Sequence, residues 1–202
     1  YRQTNKFDHF KVGIAIPVQR MVASEKSGIM FTINPVTNDK TRITIEAIFG
    51  LGEMIVQGAV TPDHYEVDKK TLDIAAREVH VQEKQMVKRG RENRIVSLSQ
   101  RTGGKVKLSD REIVAIAKLG KELEAHYYFP QDAEWAIERG RIYLVQTRPV
   151  TTTGKEKEAS FSPSPKAEIL AKGDPASPGM AVGPVKLLSS AREIHKIHSG
   201  DI

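Results

Sequence analysis

The residues best suited to chemistry lie in one stretch, from Asp132 to Arg148. Two strand-like runs flank a turn that contains glycine; the first run carries Asp132 and Glu134, and the second carries Gln146 and Arg148. A carboxylate and a side-chain amide offer the hard oxygens that Mg²⁺ prefers, usually alongside phosphate oxygens and water. An arginine can form a forked contact with a phosphate beside them. The alternative is that all four are exposed polar positions on an edge hairpin, and their spacing alone does not decide between the two.

The length of the connecting loop decides whether these side chains can act together. Side chains alternate across a strand, so a shift of one residue in the pairing moves a whole strand's set to the other face. A two-residue loop, Arg139-Gly140, would place Glu134 and Gln146 on opposite faces. We therefore predict the three-residue loop Glu138-Arg139-Gly140, with Gly140 in the left-handed region, which aligns all four polar residues on one face. The opposite face, packed on the core, then carries Trp135, Ile137, Tyr143 and Val145.

The same stretch resembles the last hairpin of the ATP-binding domain in a phosphotransferase family. Asp132-x-Glu134 followed by Gln146-Thr147-Arg148 is similar to the motif of phosphoenolpyruvate synthase, pyruvate phosphate dikinase and rifampicin phosphotransferase, and to the synthase branch most closely. The resemblance implies that Glu134 and Gln146 hold the metal of Mg-ATP and that Arg148 contacts the phosphates. It assigns no catalytic residue within this chain.

Composition sets the broad class of the protein. Of its 202 residues, 39% are hydrophobic and 28% are charged, which is ordinary for a globular domain. The absence of cysteine excludes a disulfide framework and a thiolate metal site. There is no long apolar run and no signal-like amino terminus, so we expect a cytoplasmic protein without a membrane partner. The net charge of +6 suits an anionic ligand, but the basic residues are scattered, so we expect nucleotide phosphate rather than nucleic acid as the partner.

The elements that must position the hairpin begin with the segment from Lys11 to Val22. It is rich in valine and isoleucine but contains Pro17, which favours an edge or bent strand. The segment resembles the family's PVQxMV element, in which the chain runs past the adenine. By that resemblance Gln19 contributes to the nucleotide pocket, and the backbone near Met21 and Val22 contacts the adenine edge. From the residues alone, three side chains of the segment are expected in the core: Val18, Met21 and Val22.

Two strands are predicted next, over residues 27–34 and 42–49, and they should form a hairpin. Gly50-Leu51-Gly52-Glu53 then opens a short apolar stretch that is typical of a helix start. Glycines at such a turn allow close backbone approach, and a helix start favours an anion, but no Gly-Lys-Ser/Thr follows, so this is not a P-loop. The run continues the resemblance to the synthase through TPDHYEVD. Glu46 and Glu53 are candidate pocket carboxylates, with structural pairing as the alternative.

Residues from about 71 to 108 predict a protruding hairpin or lobe, with a strand signal at 78–81 and a solvated charged face at 84–94. The clearest helix runs from Ser109 to Tyr127, because Ser109 and Glu112 form a capping box and apolar residues recur at helical spacing. These elements predict an α+β fold with an antiparallel sheet and packed helices. The resemblance makes it an ATP-grasp-like lobe.

After Arg148 the composition changes. Residues 151–167 are polar and rich in serine and proline, which predicts a mobile linker. Residues 168–202 become apolar again, and SPGMAVGPV predicts a turn, a strand and a second turn. That motif resembles the entry to the swivelling phosphohistidine domain of the family. The predicted domains are therefore the carboxy-terminal ATP-grasp lobe (1–150), the linker, and the β-rich start of a swivelling domain. His195 and His198 lie in a predicted helix and match no catalytic motif.

The resemblance also implies what the parent protein does. It would convert ATP, pyruvate and water into phosphoenolpyruvate, AMP and phosphate by way of a phosphorylated histidine. Its partners would be the phosphohistidine and pyruvate-binding domains of the same chain, and a homo-oligomer is a further expectation. The family's other nucleotide-binding lobe and its histidine motif are not found here, so we expect this segment alone to be inactive and to bind Mg-ATP weakly or not detectably. The alternatives are a related phosphotransferase with another acceptor, such as an antibiotic, and a non-catalytic nucleotide-binding module.

Overall fold

The computed structural model describes residues 3–8, 13, 15–150, 182–188 and 191–201, and the chain divides into two compact units, Tyr1–Thr153 and Gly154–Ile202. The first unit contains eight strands and three α-helices within its described residues. In chain order they are β1 (Lys26–Phe31), β2 (Arg42–Phe49), α1 (Glu53–Val56), β3 (Asp63–Asp68), β4 (Ile74–Glu78), β5 (Lys84–Arg89), β6 (Glu92–Ser97), α2 (Gln100–Gly103), α3 (Asp110–Tyr127), β7 (Gln131–Glu138) and β8 (Arg141–Pro149).

Six strands form one sheet in the order β4-β3-β2-β1-β7-β8, and every neighbouring pair is antiparallel. The β5 and β6 strands form a separate two-stranded sheet. The predicted hairpin of the first two strands is present, with Lys26 paired to Phe49 at one end and Phe31 to Thr44 at the other. The α+β prediction is confirmed.

The α3 helix packs on one face of the six-stranded sheet. Its capping box is the predicted one, since the Ser109 side chain accepts from the Glu112 backbone and the Glu112 side chain accepts from the Ser109 backbone. Ile113 and Ile116 are fully buried. Gly120 allows close contact with β1, because a Cβ at that position would lie 2.6 Å from Met30 Sδ. This face of the sheet therefore holds the main apolar core.

Alternate residues of the same strands point to the opposite face, which we call the site face. It carries Ile29, Glu46 and Glu134, which lie side by side because Ile29 pairs with both Glu46 and Glu134. The short α1 helix packs there through Met54 and Ile55, so the predicted helix after Gly52 is confirmed but lasts only one turn. The sheet thus separates an apolar core from a partly polar surface.

The segment before β1 differs from the prediction. Its described residues, 13 and 15–24, form no strand, and Lys11 lies outside the described residues. Val18 is 97% exposed and Met21 is 42% exposed, so neither belongs to the core, and Val22 is only half-buried. Pro17 cannot donate to a strand ladder. The segment instead contacts the edge strand β8 through a side chain, because Gln19 Nε2 donates to the Val145 carbonyl at 3.2 Å.

Two other strand limits also differ. The first strand ends at Phe31, three residues before the predicted end at Asn34, because the Asn34 side chain accepts from the backbone N–H groups of Val36 and Thr37 and caps a turn. The predicted strand at 78–81 is absent, since β4 ends at Glu78 and the next residues bond elsewhere. His80 N–H, for example, donates to Asp63 Oδ1 at 3.0 Å.

The second unit is described only in part. Residues 182–188 contain no strand, which contradicts the predicted strand as far as they extend, and residues 151–181 with the predicted linker lie outside the described residues. A 3₁₀ helix spans Ala191–Lys196 and includes His195, whereas His198 follows it. Among the described helices of the whole chain, none is long and apolar enough to cross a membrane.

Candidate functional site

The hairpin of β7 and β8 brings the four predicted polar residues to one face. Glu134 is the direct cross-strand partner of Gln146, and Asp132 is the direct partner of Arg148. Residues directly opposite each other in an antiparallel pair project to the same side of the sheet. The predicted common face is therefore confirmed, and it is the site face.

The loop prediction, in contrast, is wrong. Glu138 pairs with Arg141, so the loop contains only Arg139 and Gly140, whose φ angles are +51° and +74°. Positive φ at both central residues is what a type I′ turn requires. The shared face comes instead from a register shift between Glu134 and Trp135, where β8 contains one extra residue, Val145. A bulge of this kind re-aims every side chain beyond it.

The bulge also changes the opposite face. Trp135 and Ile137 are each 1% exposed and pack in the core beneath α3, as predicted. Tyr143 pairs with Ala136 and so points to the site face, which corrects its predicted core position. Val145 is the unpaired bulge residue rather than a core residue.

Asp132 and Arg148 form an ion pair on the site face. Arg148 Nε and Nη2 both lie 2.7 Å from Asp132 Oδ2. The hydrogen bond and charge of Asp132 raise the pKa of Arg148, and the nearby charge of Glu134 adds to this shift. The Arg148 side chain remains 70% exposed, whereas that of Asp132 is 11% exposed. Asp132 therefore holds the guanidinium in place while leaving most of it accessible.

Glu134 and Gln146 have a different environment. Neither side chain makes a hydrogen bond to another described residue, and Glu134 is partly buried while Gln146 is exposed. Within the described ranges, no group of three His, Cys, Asp or Glu side chains is placed to hold a metal. One carboxylate and one amide facing each other nevertheless offer two hard oxygens, which is the donor set that suits Mg²⁺ when phosphate and water complete its shell.

Further carboxylates extend the row of Glu134 across the sheet. Glu46 lies beyond Ile29 in the same row, and its other neighbour is His64. Burial raises the pKa of Glu46, and the His64 charge partly opposes that shift. The row therefore places two glutamates on the site face, one on each side of Ile29.

A cavity of about 670 Å³ adjoins the hairpin on the site face. It brings together four of the predicted site residues, Gln19, Met21, Val22 and Glu134, with Tyr143 and Val145 of β8 also in its wall. Gln146 and Arg148 do not line this cavity and lie beside it along the hairpin. Glu53 lines it, whereas Glu46 does not. The resulting cleft combines apolar walls with one predicted metal ligand.

The glycine-containing turn after β2 forms one side of the cleft. Ser27 Oγ donates to the Gly50 carbonyl at 2.7 Å, and Leu51 N–H donates to the Met86 carbonyl at 2.8 Å. Gly50 has φ +86°, and a Cβ there would lie 2.3 Å from the Met86 carbonyl oxygen. The turn therefore needs glycine at position 50 for close approach to β5.

Two features of the structure were not predicted from the sequence. Asp63 and Lys107 form a fully buried ion pair at 2.7 Å, and Asp63 also accepts from Tyr65 Oη, the His80 N–H and the Lys107 N–H. Asn93 of the β5–β6 hairpin lines the cleft. The Thr61-Pro62-Asp63 motif signalled the carboxylate, but nothing in the sequence identified its distant partner or placed Asn93 at the cleft.

Comparisons with known proteins agree with these features. The family model of the pyruvate phosphate dikinase AMP/ATP-binding domain matches residues 1–167. The chain is 43% identical to phosphoenolpyruvate synthase of Pyrococcus furiosus, 47% to the probable phosphoenolpyruvate synthase of Archaeoglobus fulgidus and 44% to that of Methanocaldococcus jannaschii. Each match covers 100% of this chain but only 26%, 27% and 17% of the respective relatives. The chain thus spans about a quarter of the length of these relatives, or less.

Proposed function

Because this chain belongs to the family of the pyruvate phosphate dikinase AMP/ATP-binding domain, we propose that its cleft and site hairpin form part of the Mg-ATP site of a phosphoenolpyruvate synthase. The observation that carries the proposal is the direct cross-strand pairing of Glu134 with Gln146 on the site face, beside a cleft of nucleotide size. Neither side chain makes a hydrogen bond to another described residue, so the oxygens of both are available to a ligand.

Each predicted residue then has a specific role. Glu134 and Gln146 would hold Mg²⁺, whose charge offsets the negative charge that develops on the nucleotide phosphates during phosphoryl transfer. Arg148, held by Asp132 and still largely exposed, would contact a phosphate oxygen. The apolar part of the cleft would take the adenine, with Gln19 and the backbone of Met21 and Val22 along its edge.

The exposed segment before β1 supports that last assignment. Its backbone is not committed to a strand ladder over the described residues, and Gln19 Nε2 fastens it to the bulge at Val145. Backbone N–H and C=O groups that are not paired in a sheet can bond to the edge of a base. The bulge therefore serves both parts of the proposed site, since it aligns Gln146 with Glu134 and receives the contact from Gln19.

The activity of the whole protein is a further part of the proposal. An ATP-grasp-like lobe of this kind would transfer phosphate from ATP to a histidine on a separate, swivelling domain, and that domain would pass it to pyruvate. The names of the relatives and their greater length support this arrangement. Positioning and charge neutralisation account for most of the catalysis of phosphoryl transfer, and they are what the site hairpin could supply.

The proposal is tested by titrating the 202-residue chain with ATP, with and without Mg²⁺, while following backbone amide shifts by NMR. We expect a dissociation constant near the millimolar range and tighter binding when Mg²⁺ is present. Glu134→Ala and Gln146→Ala should each remove most of the Mg²⁺-dependent gain, about tenfold or more, since a hydrogen bond or contact to a charged group contributes roughly 1.5–3 kcal/mol. Glu122→Ala, at an exposed position of α3, is the matched control.

The outcomes are distinct. Equal Mg-ATP affinity in the Glu134→Ala variant and the Glu122→Ala control would overturn the metal assignment. No saturable binding at any nucleotide concentration would overturn the site itself. Tight, stoichiometric binding would favour a self-contained nucleotide-binding module over one lobe of a larger synthase site. In the parent protein, Glu134→Ala and Gln146→Ala should sharply reduce ATP-dependent phosphorylation of the carrier histidine.

A further inference from the structure

The β5–β6 hairpin borders the cleft and is held in place by contacts with neighbouring elements. Leu51 N–H donates to the Met86 carbonyl at 2.8 Å, and the Met86 side chain packs on the cluster of Ile48, Met54 and Ile55. At the base of the hairpin, the Gln82 side chain is 1% exposed and binds the backbone of Phe49 in both directions, at 2.8 Å to its N–H and 3.0 Å to its carbonyl. The hairpin is therefore tied to the strand and turn that border the cleft.

One side chain of this hairpin lines the cleft, that of Asn93 near the start of β6. Three carboxamides line the cleft among the described residues, and two of them already have partners. Gln19 donates to the Val145 carbonyl at 3.2 Å, and Gln57 donates to Glu53 Oε1 at 2.9 Å. Asn93 makes no side-chain hydrogen bond within the described part of the chain. Its acceptor oxygen and both of its donor hydrogens are available to a ligand.

We propose that Asn93 contacts the nucleoside part of the bound nucleotide and contributes to its selection. This inference rests on the function proposed above. A carboxamide pairs with an edge that offers a donor beside an acceptor, such as the 6-amino group and N7 of adenine, or with the 2′-hydroxyl of the ribose. The wall of the same cleft includes the apolar side chains of Leu51 and Ile55, which suit a base or ribose better than a polyphosphate. Asn93 forms hydrogen bonds with the nucleoside, and Glu134 lies at the end of the cleft that would hold the metal ion.

The test compares Asn93→Ala and Asn93→Asp with the unmodified chain, again by NMR titration in the presence of Mg²⁺. Three nucleotides are used: ATP, 2′-deoxy-ATP and purine riboside triphosphate, which lacks the 6-amino group. We expect Asn93→Ala to weaken ATP binding about three- to tenfold, as for the loss of one net hydrogen bond. The loss should disappear for the analogue that lacks the contacted group. No loss with purine riboside triphosphate would identify a contact with the base, and no loss with 2′-deoxy-ATP would identify a contact with the ribose. Asn93→Asp, which keeps the acceptor but removes the donors, should weaken ATP binding at least as much.

Ser97→Ala is the matched control, since Ser97 lies on the same strand, is exposed and does not line the cleft. Unchanged ATP affinity in Asn93→Ala overturns the inference while leaving the Mg-ATP site intact. An equal loss for all three nucleotides, or the same loss in Ser97→Ala, shows a structural effect and also overturns it. If the unmodified chain binds none of the nucleotides, the proposed function fails and this inference fails with it.

Discussion

The two hairpins that border the cleft are built on similar loops but are held in place by different forces. The β7–β8 loop is Arg139-Gly140, with positive φ at both residues, whereas the β5–β6 loop is Gly90-Arg91, with positive φ only at Gly90. The β7 strand lies within the six-stranded sheet beneath α3, and six of its eight residues are buried. The β5 and β6 strands pair only with each other and are largely exposed.

The difference shows that a short loop can form a hairpin but does not determine which face of that hairpin packs on the core. In β7–β8 the burial of Trp135 and Ile137 fixes one face, and the bulge at Val145 then sets the other. In β5–β6 most side chains are exposed, and the Met86 side chain packs against Met54 and Ile55 of the one-turn helix α1. Polar contacts at Gln82 and Leu51 also hold this hairpin in position. The proposed metal ligands occur on the hairpin that the core holds more firmly.

The largest expected effect concerns the bulge itself. The chain contains no cysteine, so pairs of introduced cysteines can report the register directly. We expect Glu134→Cys with Gln146→Cys to form a disulfide nearly completely on mild oxidation, because the two residues are direct cross-strand partners. Glu134→Cys with Val145→Cys should form little. Mass spectrometry under non-reducing conditions measures both. Preferential linkage to position 145 would mean that the bulge is absent and that Gln146 faces the core.

The next largest effect concerns the polar anchoring beside β5–β6. Lys107 Nζ is fully buried and bonds to Asp63, to the Gly103 carbonyl and to the His80 carbonyl. Lys107→Met should lower the free energy of unfolding by about 3–5 kcal/mol, because it leaves the buried Asp63 charge unpaired. Denaturant unfolding measures this. Lys105→Met, two residues away and exposed, should have little effect. A similar loss in both variants would contradict the assignment.

A smaller, pH-dependent effect is expected in the row of Glu134. Burial raises the pKa of Glu46 in the folded protein, so folding favours its protonated form. The stability that this provides is fully present below the ordinary glutamate pKa and is lost as the pH rises through the raised value. Glu46→Gln should therefore match the wild-type melting temperature near pH 4 and exceed it modestly at pH 7. A constant difference from pH 4 to pH 7 in thermal unfolding would contradict this.

The smallest effect concerns the two loops. Arg139 adopts φ +51°, which asparagine tolerates better than arginine. Arg139→Asn should raise the free energy of unfolding by about 1 kcal/mol or less. Arg91→Asn should not, because Arg91 has no positive φ to relieve. Denaturant midpoints of the two variants give the comparison, and equal shifts would show that the loops are conformationally alike.

Local residue patterns were enough to predict most helices and strands and the common face of the hairpin's polar residues. The capping box of Ser109 and Glu112 predicted the start of α3, and alternating residues predicted β2 to its exact limits. These signals are visible in sequence because neighbouring residues alone produce them. The four polar residues of the hairpin were singled out by residue type and spacing, and a family resemblance supplied their expected roles. Their common face was predicted correctly although the loop was not.

How that common face arises, and what surrounds it, depends on the packing of distant elements. A two-residue loop would have separated Glu134 from Gln146, and the packing of Trp135 under α3 together with the extra residue Val145 restored their alignment. Asp63 and Lys107 are 44 positions apart in the chain. Asn93 lines the same cleft as Glu134, which lies 41 positions later. Such contacts depend on how separate elements pack, and no local pattern of residues encodes them.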